Sequence, residues 1–473
     1  LENSLAGSSL LDDAALLQLA SANLSAAPDA LYVLPDNLTL TSAETAFLSA
    51  LAGKRDIQRM KTDKPRGIAA PESTAALATL GSLSDTPYLQ PSRLGSLYDI
   101  PSAPPSDQFL HLFRAYGAYS EAREVLRRIK RDALPLDSVT VVCTTPGEYT
   151  TQFLSLGASL GIPMTFADGV PITHTNPGKL LQGLLDWVGD NYLDTRLVQI
   201  LQGGFLKLGS SPGAISLLRK EKAGWGRDRY RRLIADRRAS PPDNGMSQWE
   251  QDFHACLTSL VEALPDDGQS IALADLCKGL ARILTDHARI TGEADANALS
   301  GLVSALNDLA LSRTTLPVKT ALDRVPSQVL SINTGSSGPK AGHLHITGYT
   351  AAMWQGRRHT YLVGLDMGSF PGSGIQDPIL LDDERRRISP ALPLRSHNPQ
   401  RNMFAMAELL ASRSGPVTLS YSSFDTLQAR ASAPCGLFLQ AFRLQQNAPQ
   451  ADYTDLRSEE RRVGKECSYR WWA

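Results

Sequence analysis

The sequence has few cysteines, and they are scattered. Five occur in 473 residues, at Cys143, Cys256, Cys277, Cys435 and Cys467. No two have CxxC spacing, which removes a signalled zinc site or disulfide framework. They read as buried or incidental thiols in a reducing cytoplasm, and an iron–sulfur cluster would need cysteines from outside this chain. The sequence also has no excess of either charge: 47 basic residues face 48 acidic ones, a formal charge of −1. No overall field therefore draws the chain to DNA or to an anionic membrane, and any polyanion site must be a local patch. No apolar run reaches the roughly eighteen residues of a membrane span, so the expected chain is soluble and cytoplasmic, with no membrane partner. The first residue is Leu1 and no basic-then-apolar leader follows. The expectation is an internal piece of a longer protein, not a secreted precursor.

What is present is length and alternation. At roughly 100–200 residues per domain the chain is long enough for two to four domains. Helical spacing from Leu10 to Leu19 precedes an extended stretch at 30–34, broken by Pro35. Thr41 followed by Glu44 predicts a capping box. Residues 65–105 are rich in Pro, Ser, Gly and Ala and read as a linker. From 106 onward strands and helices alternate. The expected strands are 109–115, 137–143 and 161–166; helices run from Ser120 to about Lys130 and from the Thr145–Glu148 cap to Leu160. The β-branched run 137–143 (DSVTVVC) has the character of a buried parallel strand, and β-α-β succession implies a doubly wound sheet. Residues 177–325 carry apolar residues at helical spacing (Leu180, Leu181, Leu184, Leu185, Val188) and almost no strand signal. The sheet pattern resumes at 342–347, 359–365 and 416–421, the last after a helix from Gln400 to Ala411.

Chemistry-bearing patterns are sparse. Residues 335–340 (GSSGPK) are glycine-rich, but Pro339 stands at the second glycine and no helix is expected to follow, so the amide cradle of a Walker loop is not formed. No apolar strand ends in Asp-Glu, so the usual magnesium-polarising acid is absent as well. His343 and His345 would share a strand face without a third ligand nearby. The strongest pattern lies between Arg219 and Arg238. Nine basic residues there (Arg219, Lys220, Lys222, Arg227, Arg229, Arg231, Arg232, Arg237 and Arg238) oppose only Glu221, Asp228 and Asp236. Trp225 and Tyr230 are interleaved, a composition that suits phosphate contact with base stacking. The plain alternative is a charged, solvated helix. A second basic cluster, from Lys54 to Arg66, is less aromatic and reads as solvated.

Residues 113–125 (FRAYGAYSEAREV) resemble the start of the second RecA-like domain of superfamily I helicases. The strand at 138–143 and Gly161-Ile162-Pro163 fit the same pattern, in which such a strand precedes a helical subdomain. Residues 345–357 are similar to a degraded T-x-H-x-x-K-G-L-E motif, and 363–371 (VGLDMGSFP) to the family's "GL-x-x-G-x-F-P" turn. Residues 401–421 resemble the region of the last motif. The resemblance covers about residues 106–440 and points to AddB-type subunits and PD-(D/E)XK nuclease family proteins with an inactivated, UvrD-like helicase region. It implies an α/β fold, a RecA-like parallel sheet domain interrupted by an all-helical insertion. The implied divisions are 1–64, the end of a first RecA-like domain; 65–105, linker; 106–176, first half of the second domain; 177–325, helical insertion; 326–440, its second half; and 441–473, a truncated end.

The departures shape the functional expectation. Tyr349 stands at the motif's histidine, Gln355 near its lysine, and Leu409 near the last motif's arginine. The expected function is a helicase-like, DNA-binding region of a bacterial helicase–nuclease acting in double-strand-break repair and recombination, without its own motor. No catalytic or metal residue is assigned in this chain. The nuclease would lie beyond about residue 440, and ATP and Mg would belong to the full-length protein or to an AddA-type motor partner. Expected DNA contacts are Arg219, Lys220, Lys222, Trp225, Arg227, Arg229, Tyr230, Arg231 and Arg232, with Thr347, Gln355, Gly356 and Arg357 in a second loop. Two other readings stay open: a nucleotide- or sugar-binding α/β enzyme, and a scaffold for a motor subunit that never grips DNA. Residues 457–473 break in composition and resemble a read-through tail of translated draft sequence. They are set aside from fold reasoning, the competing view being an exposed basic-aromatic tail.

Overall fold

The computed structural model of the chain describes residues 13–24, 31–36, 38, 40–53, 56–62, 64–70, 82–87, 93–99, 109–239, 246–264, 270–312, 314–390, 392–426 and 428–456. The tail from 457, Arg238's side chain and parts of the expected linker lie outside them. The chain divides into two compact units, Leu1–Met164 with Lys340–Ala473, and Thr165–Pro339.

The first unit opens with α1 (Asp13–Ala22), β1 (Leu31–Pro35), α2 (Ser42–Ala52), β2 (Asp56–Lys61) and β3 (Ser82–Pro87). The three strands form their own parallel sheet in the order β1-β2-β3. The capping box is made: Thr41 Oγ1 accepts from the Glu44 amide at 3.3 Å, and the Glu44 carboxylate accepts from the Thr41 amide at 2.7 Å. The stretch read as linker is not all loop, since it contains β3 and a 3-10 turn at Arg93–Ser96. Leu94 and Leu97 flank that turn's interior face and are buried in the core of this unit.

There follow β4 (Leu110–Ala115), α3 (Ala118–Arg131), β5 (Val139–Cys143), α4 (Pro146–Leu160) and β6 (Met164–Phe166). Every residue of β5 is buried, as its β-branched sequence requires of a strand covered on both faces. The helix α4 ends at Gly161 in the left-handed conformation, φ 65°. At its start one expectation is corrected: Pro146 occupies the first turn, but Thr145 makes no side-chain cap.

The second unit begins with β7 (Val170–Pro171), α5 (Asn176–Gly189), α6 (Asp194–Gly203), α7 (Ser211–Glu221), α8 (Arg227–Ala239) and α9 (Gln248–Ala263). It continues through β8 (Ser270–Ala272), α10 (Leu273–His287), α11 (Glu293–Leu309), β9 (Thr315–Pro317), α12 (Val318–Val329) and β10 (Asn333–Thr334). It is helical but not purely so, which corrects the sequence reading. β8 pairs antiparallel with β9, and β7 with β10. Strands of two or three residues leave no alternation to read in a sequence. The leucines at 180, 181, 184 and 185 are buried in this unit's own core.

The first unit resumes with β11 (Leu344–Gly348), α13 (Tyr349–Ala352), β12 (His359–Val363), α14 (Asp382–Ile388) and α15 (Asn398–Ala411). It ends with β13 (Val417–Ser422), the short hairpin β14 (Phe424–Asp425) and β15 (Arg430–Ala431), and α16 (Gly436–Gln446). The glycine-rich stretch 335–340 leads into β11 and not into a helix. The main sheet has the order β4-β13-β12-β5-β11-β6 and is parallel throughout. This is the α/β fold expected. Among the described residues no helix is long and apolar enough to cross a membrane. Among the described residues Cys143, Cys256, Cys277 and Cys435 are buried and not joined in a disulfide, and Cys467 lies outside the described residues.

Two leucines one turn apart on α4 test how burial sets stability in the first unit. Leu156 is 3% exposed and Leu160 is 57% exposed. Leu156→Ala should cost about 2–5 kcal/mol through lost transfer energy and a cavity, whereas Leu160→Ala should stay within about 0.5 kcal/mol. Urea denaturation of the two variants checks this, and equal losses would contradict the packing of α4 described above.

Candidate functional site

In open α/β sheets ligands bind outside the carboxyl ends of the strands, where neighbouring connections diverge. Here β5 connects through α4 toward β6, while its neighbour β12 leads toward β13 on the other side. That point is filled by protein. The Glu121 side chain, from the first turn of α3, is fully buried and receives three hydrogen bonds. Tyr149 Oη donates to Oε2 at 2.5 Å, Ser420 Oγ donates to Oε1 at 2.5 Å, and the Gly364 amide donates to Oε1 at 3.1 Å. One carboxyl thereby ties α3 to α4, to β13 and to the end of β12. Gly364 is required there: its φ is +81°, and a Cβ would sit 2.4 Å from Thr144 Oγ1, which itself donates to the Gly364 carbonyl at 2.7 Å.

Among the described residues no cation is paired with this carboxyl. Burial pushes Glu121 up from 4.5 to about 7, against the lowering effect of its three hydrogen bonds, and the charge of Asp366 adds to the rise. Glu148, in the first turn of α4, is also raised, by burial and then by Asp366 and Asp425. Asp366 is spent locally, accepting from the amides of Gly368 at 2.9 Å and Ser369 at 3.0 Å. At the ends of β4 and β13, Tyr116 stacks on Phe424 with centroids 4.5 Å apart and planes at 14°, leaving Tyr116 65% exposed. The sequence reading missed Glu121 as a special residue. Its signal was the spacing Ala118, Glu121, Ala122, Val125 and Ile129, which sets an acid among the buried positions of an otherwise amphipathic helix.

The residues of the second expected loop are structural. Thr347 is 1% exposed inside β11. Gln355 is half-buried, its side-chain carbonyl accepting from Thr140 Oγ1 at 3.4 Å. Arg357 donates through Nη1 to the carbonyls of Val139 at 2.7 Å, His343 at 2.9 Å and Leu136 at 3.2 Å, and through Nη2 to that of Lys340 at 3.1 Å. That guanidinium clamps the starts of β5 and β11, so only Gly356 of this group is an exposed position. The nearby His345 is buried and held down to about 4 by burial and then by Arg357, while His343 Nδ1 meets the Ala341 carbonyl at 2.8 Å. Arg413, the first arginine after Leu409, is 4% exposed and satisfies the carbonyls of Ala352, Met353 and Gln355.

In the second unit the basic run separates into two sets. Tyr230 is fully buried between helices, edge-on to Trp187 at 5.2 Å, with Trp187 in turn edge-on to Tyr192 at 4.9 Å. It cannot stack on a base. Its neighbours Leu233 and Ile234 complete an i, i+3, i+4 stripe, so the apolar face of α8 decides its position. Arg227 is 6% exposed and donates from Nε to the Val261 carbonyl at 2.7 Å, closing the end of α9. These two leave the expected contact set. Arg219, Lys220, Lys222, Arg229, Arg231 and Arg232 are exposed, and Trp225 is 71% exposed in the turn between α7 and α8. Arg231 pairs with Asp228 at 3.4 Å, an exposed contact of small energetic value.

No protein-family model matches this chain, and no curated protein matches it.

The Glu121 site makes a pH prediction. A carboxyl whose pKa rises on folding holds its proton more tightly in the folded state, so its stabilising contribution is complete below the unfolded value of 4.5. It is lost as pH rises through the folded value of about 7 and is constant above it. Glu121→Gln keeps the shape without the titration. The urea midpoint of the native chain should fall relative to that of the variant between pH 5 and pH 7. Parallel curves across that range would show that Glu121 does not titrate there.

Proposed function

We propose that this chain is a helicase-like, nucleic-acid-binding region of a helicase–nuclease that acts in double-strand-break repair and recombination in the bacterial cytoplasm. The observation that carries the reading is the exposed basic rim of α7, α8 and the turn between them, with Trp225 outermost. Guanidinium and ammonium groups offer a strand's phosphates counterion-releasing contacts, and an exposed indole offers a sequence-tolerant stacking surface. Support also comes from the order of elements. A parallel sheet runs as far as β6, a helical unit intervenes, and the sheet resumes at β11, which is the layout the helicase resemblance implies.

In this reading the chain holds or scans a strand while an AddA-type motor supplies translocation with ATP and Mg. The nuclease belongs to sequence outside this chain. The reading as a small-ligand α/β enzyme is weakened by the filled switch point, where Tyr149 and Ser420 both donate to the buried Glu121 carboxyl. The scaffold reading differs only in predicting no grip on DNA.

The test is binding of labelled single-stranded DNA at several salt concentrations, with the triple variant Arg229→Glu, Arg231→Glu, Arg232→Glu. Affinity should fall, and the log–log salt slope should flatten by roughly 0.7 for each phosphate that the variant no longer neutralises. Tyr230→Phe, inside the core, should leave binding unchanged. No binding by the native chain would favour the scaffold, and an unchanged slope in the triple variant would remove this face.

A further inference from the structure

Residues of α7, α8 and α9 line an open cavity of about 350 Å³ that borders the basic rim. Arg229, Arg232 and Arg237 line it with Glu221, Asp236 and His254. Three guanidinium groups therefore face two carboxylates. They are not equivalent. Arg237 is held in place by acids, Nη1 lying 3.7 Å from Glu221 and Nη2 3.4 Å from Glu250. Its Nε is buried and has no hydrogen-bond partner among the described residues. Arg229 and Arg232 stand one turn apart on α8 and are exposed, and neither is held by a carboxylate among the described residues. The Arg229 guanidinium donates to the Lys222 carbonyl at 3.4 Å. His254 forms part of the wall and is 7% exposed.

We infer that this cavity is an oxyanion site for a phosphate monoester. Planar guanidinium forks match the oxygens of a phosphate, and a terminal phosphate offers them one more free oxygen, and more charge, than a mid-strand diester does. The group fits between Arg229 and Arg232, with the Arg237 side chain behind it. Glu221 and Glu250 position Arg237, and Asp236 limits the charge the cavity accepts. One source of such a group is the end of a nucleic-acid strand lying on the basic rim; this part rests on the proposed function. The other is free phosphate.

The experiment uses the full chain labelled with [13Cε1]histidine, the His254 resonance being assigned by its loss in His254→Gln. Inorganic phosphate is titrated first. Anisotropy then compares a 5′-phosphorylated thymidine oligonucleotide with its 5′-hydroxyl counterpart. A saturable phosphate shift at His254, with the phosphorylated strand binding roughly ten-fold tighter, is the expected result; that factor is the scale of one charge-assisted hydrogen bond. Arg232→Gln and Arg229→Gln should each erase the preference, and both sites are exposed, so folding is not at stake. Lys220→Gln, outside the cavity, should weaken both strands equally. No phosphate shift, with both strands binding alike, overturns the cavity site and leaves the basic-rim reading standing. A phosphate shift without binding of either strand overturns the strand-end source and the proposed function together, leaving free phosphate as the ligand.

Discussion

A buried carboxyl that draws its hydrogen bonds from neutral donors sits where the parallel sheet would otherwise open. Parallel strands converge their carboxyl ends and their connections on one edge, and at the divergence of β5 and β12 that edge needs either a ligand or a plug. Glu121 is the plug, and its three donors come from the helix α4, the strand β13 and the backbone after β12. The cost of burying the group appears as its elevated proton affinity, and the result is that elements far apart in sequence share one anchor. Each of the two halves of the first unit supplies part of the network: Glu121 and Tyr149 precede the helical unit in sequence, and Gly364 and Ser420 follow it.

Arginine plays a comparable structural part elsewhere. Arg357 and Arg413 direct their forks at backbone carbonyls, and Arg227 does so at the end of α9. Five donors in a rigid plane can satisfy several orphan acceptors at once, which an ammonium group cannot do with the same geometry. A count of basic residues therefore overstates the surface available to a polyanion. What remains exposed on α7 and α8 is a narrower, better-defined set, with Arg229 and Arg232 lining a cavity and the Trp225 indole in the adjoining turn.

Much of the architecture was legible in the chain. The run 137–143 reads as a buried strand because β-branched residues without polar alternation suit only a doubly covered position, and β5 is that strand. The leucine spacing from 180 to 188 reads as a helix for an equally local reason. The ribbons β8–β9 and β7–β10 were illegible because two or three residues hold no period. The candidate site was legible only as composition. Nothing local distinguishes Arg227 from Arg229, yet the first ends on the Val261 carbonyl, 34 positions away, and the second lines a cavity.

The sequence by itself determined the α/β class, the succession of elements and the place where a basic, aromatic run interrupts a balanced charge. These follow from period and propensity, which act over a few residues. Only the tertiary structure decided which of those charges meet solvent, that Tyr230 belongs to the core, and that Glu121 is buried among neutral donors. Burial and hydrogen-bond pairing depend on partners tens to hundreds of residues away, as the 299 positions between Glu121 and Ser420 illustrate. No local pattern encodes such a partner.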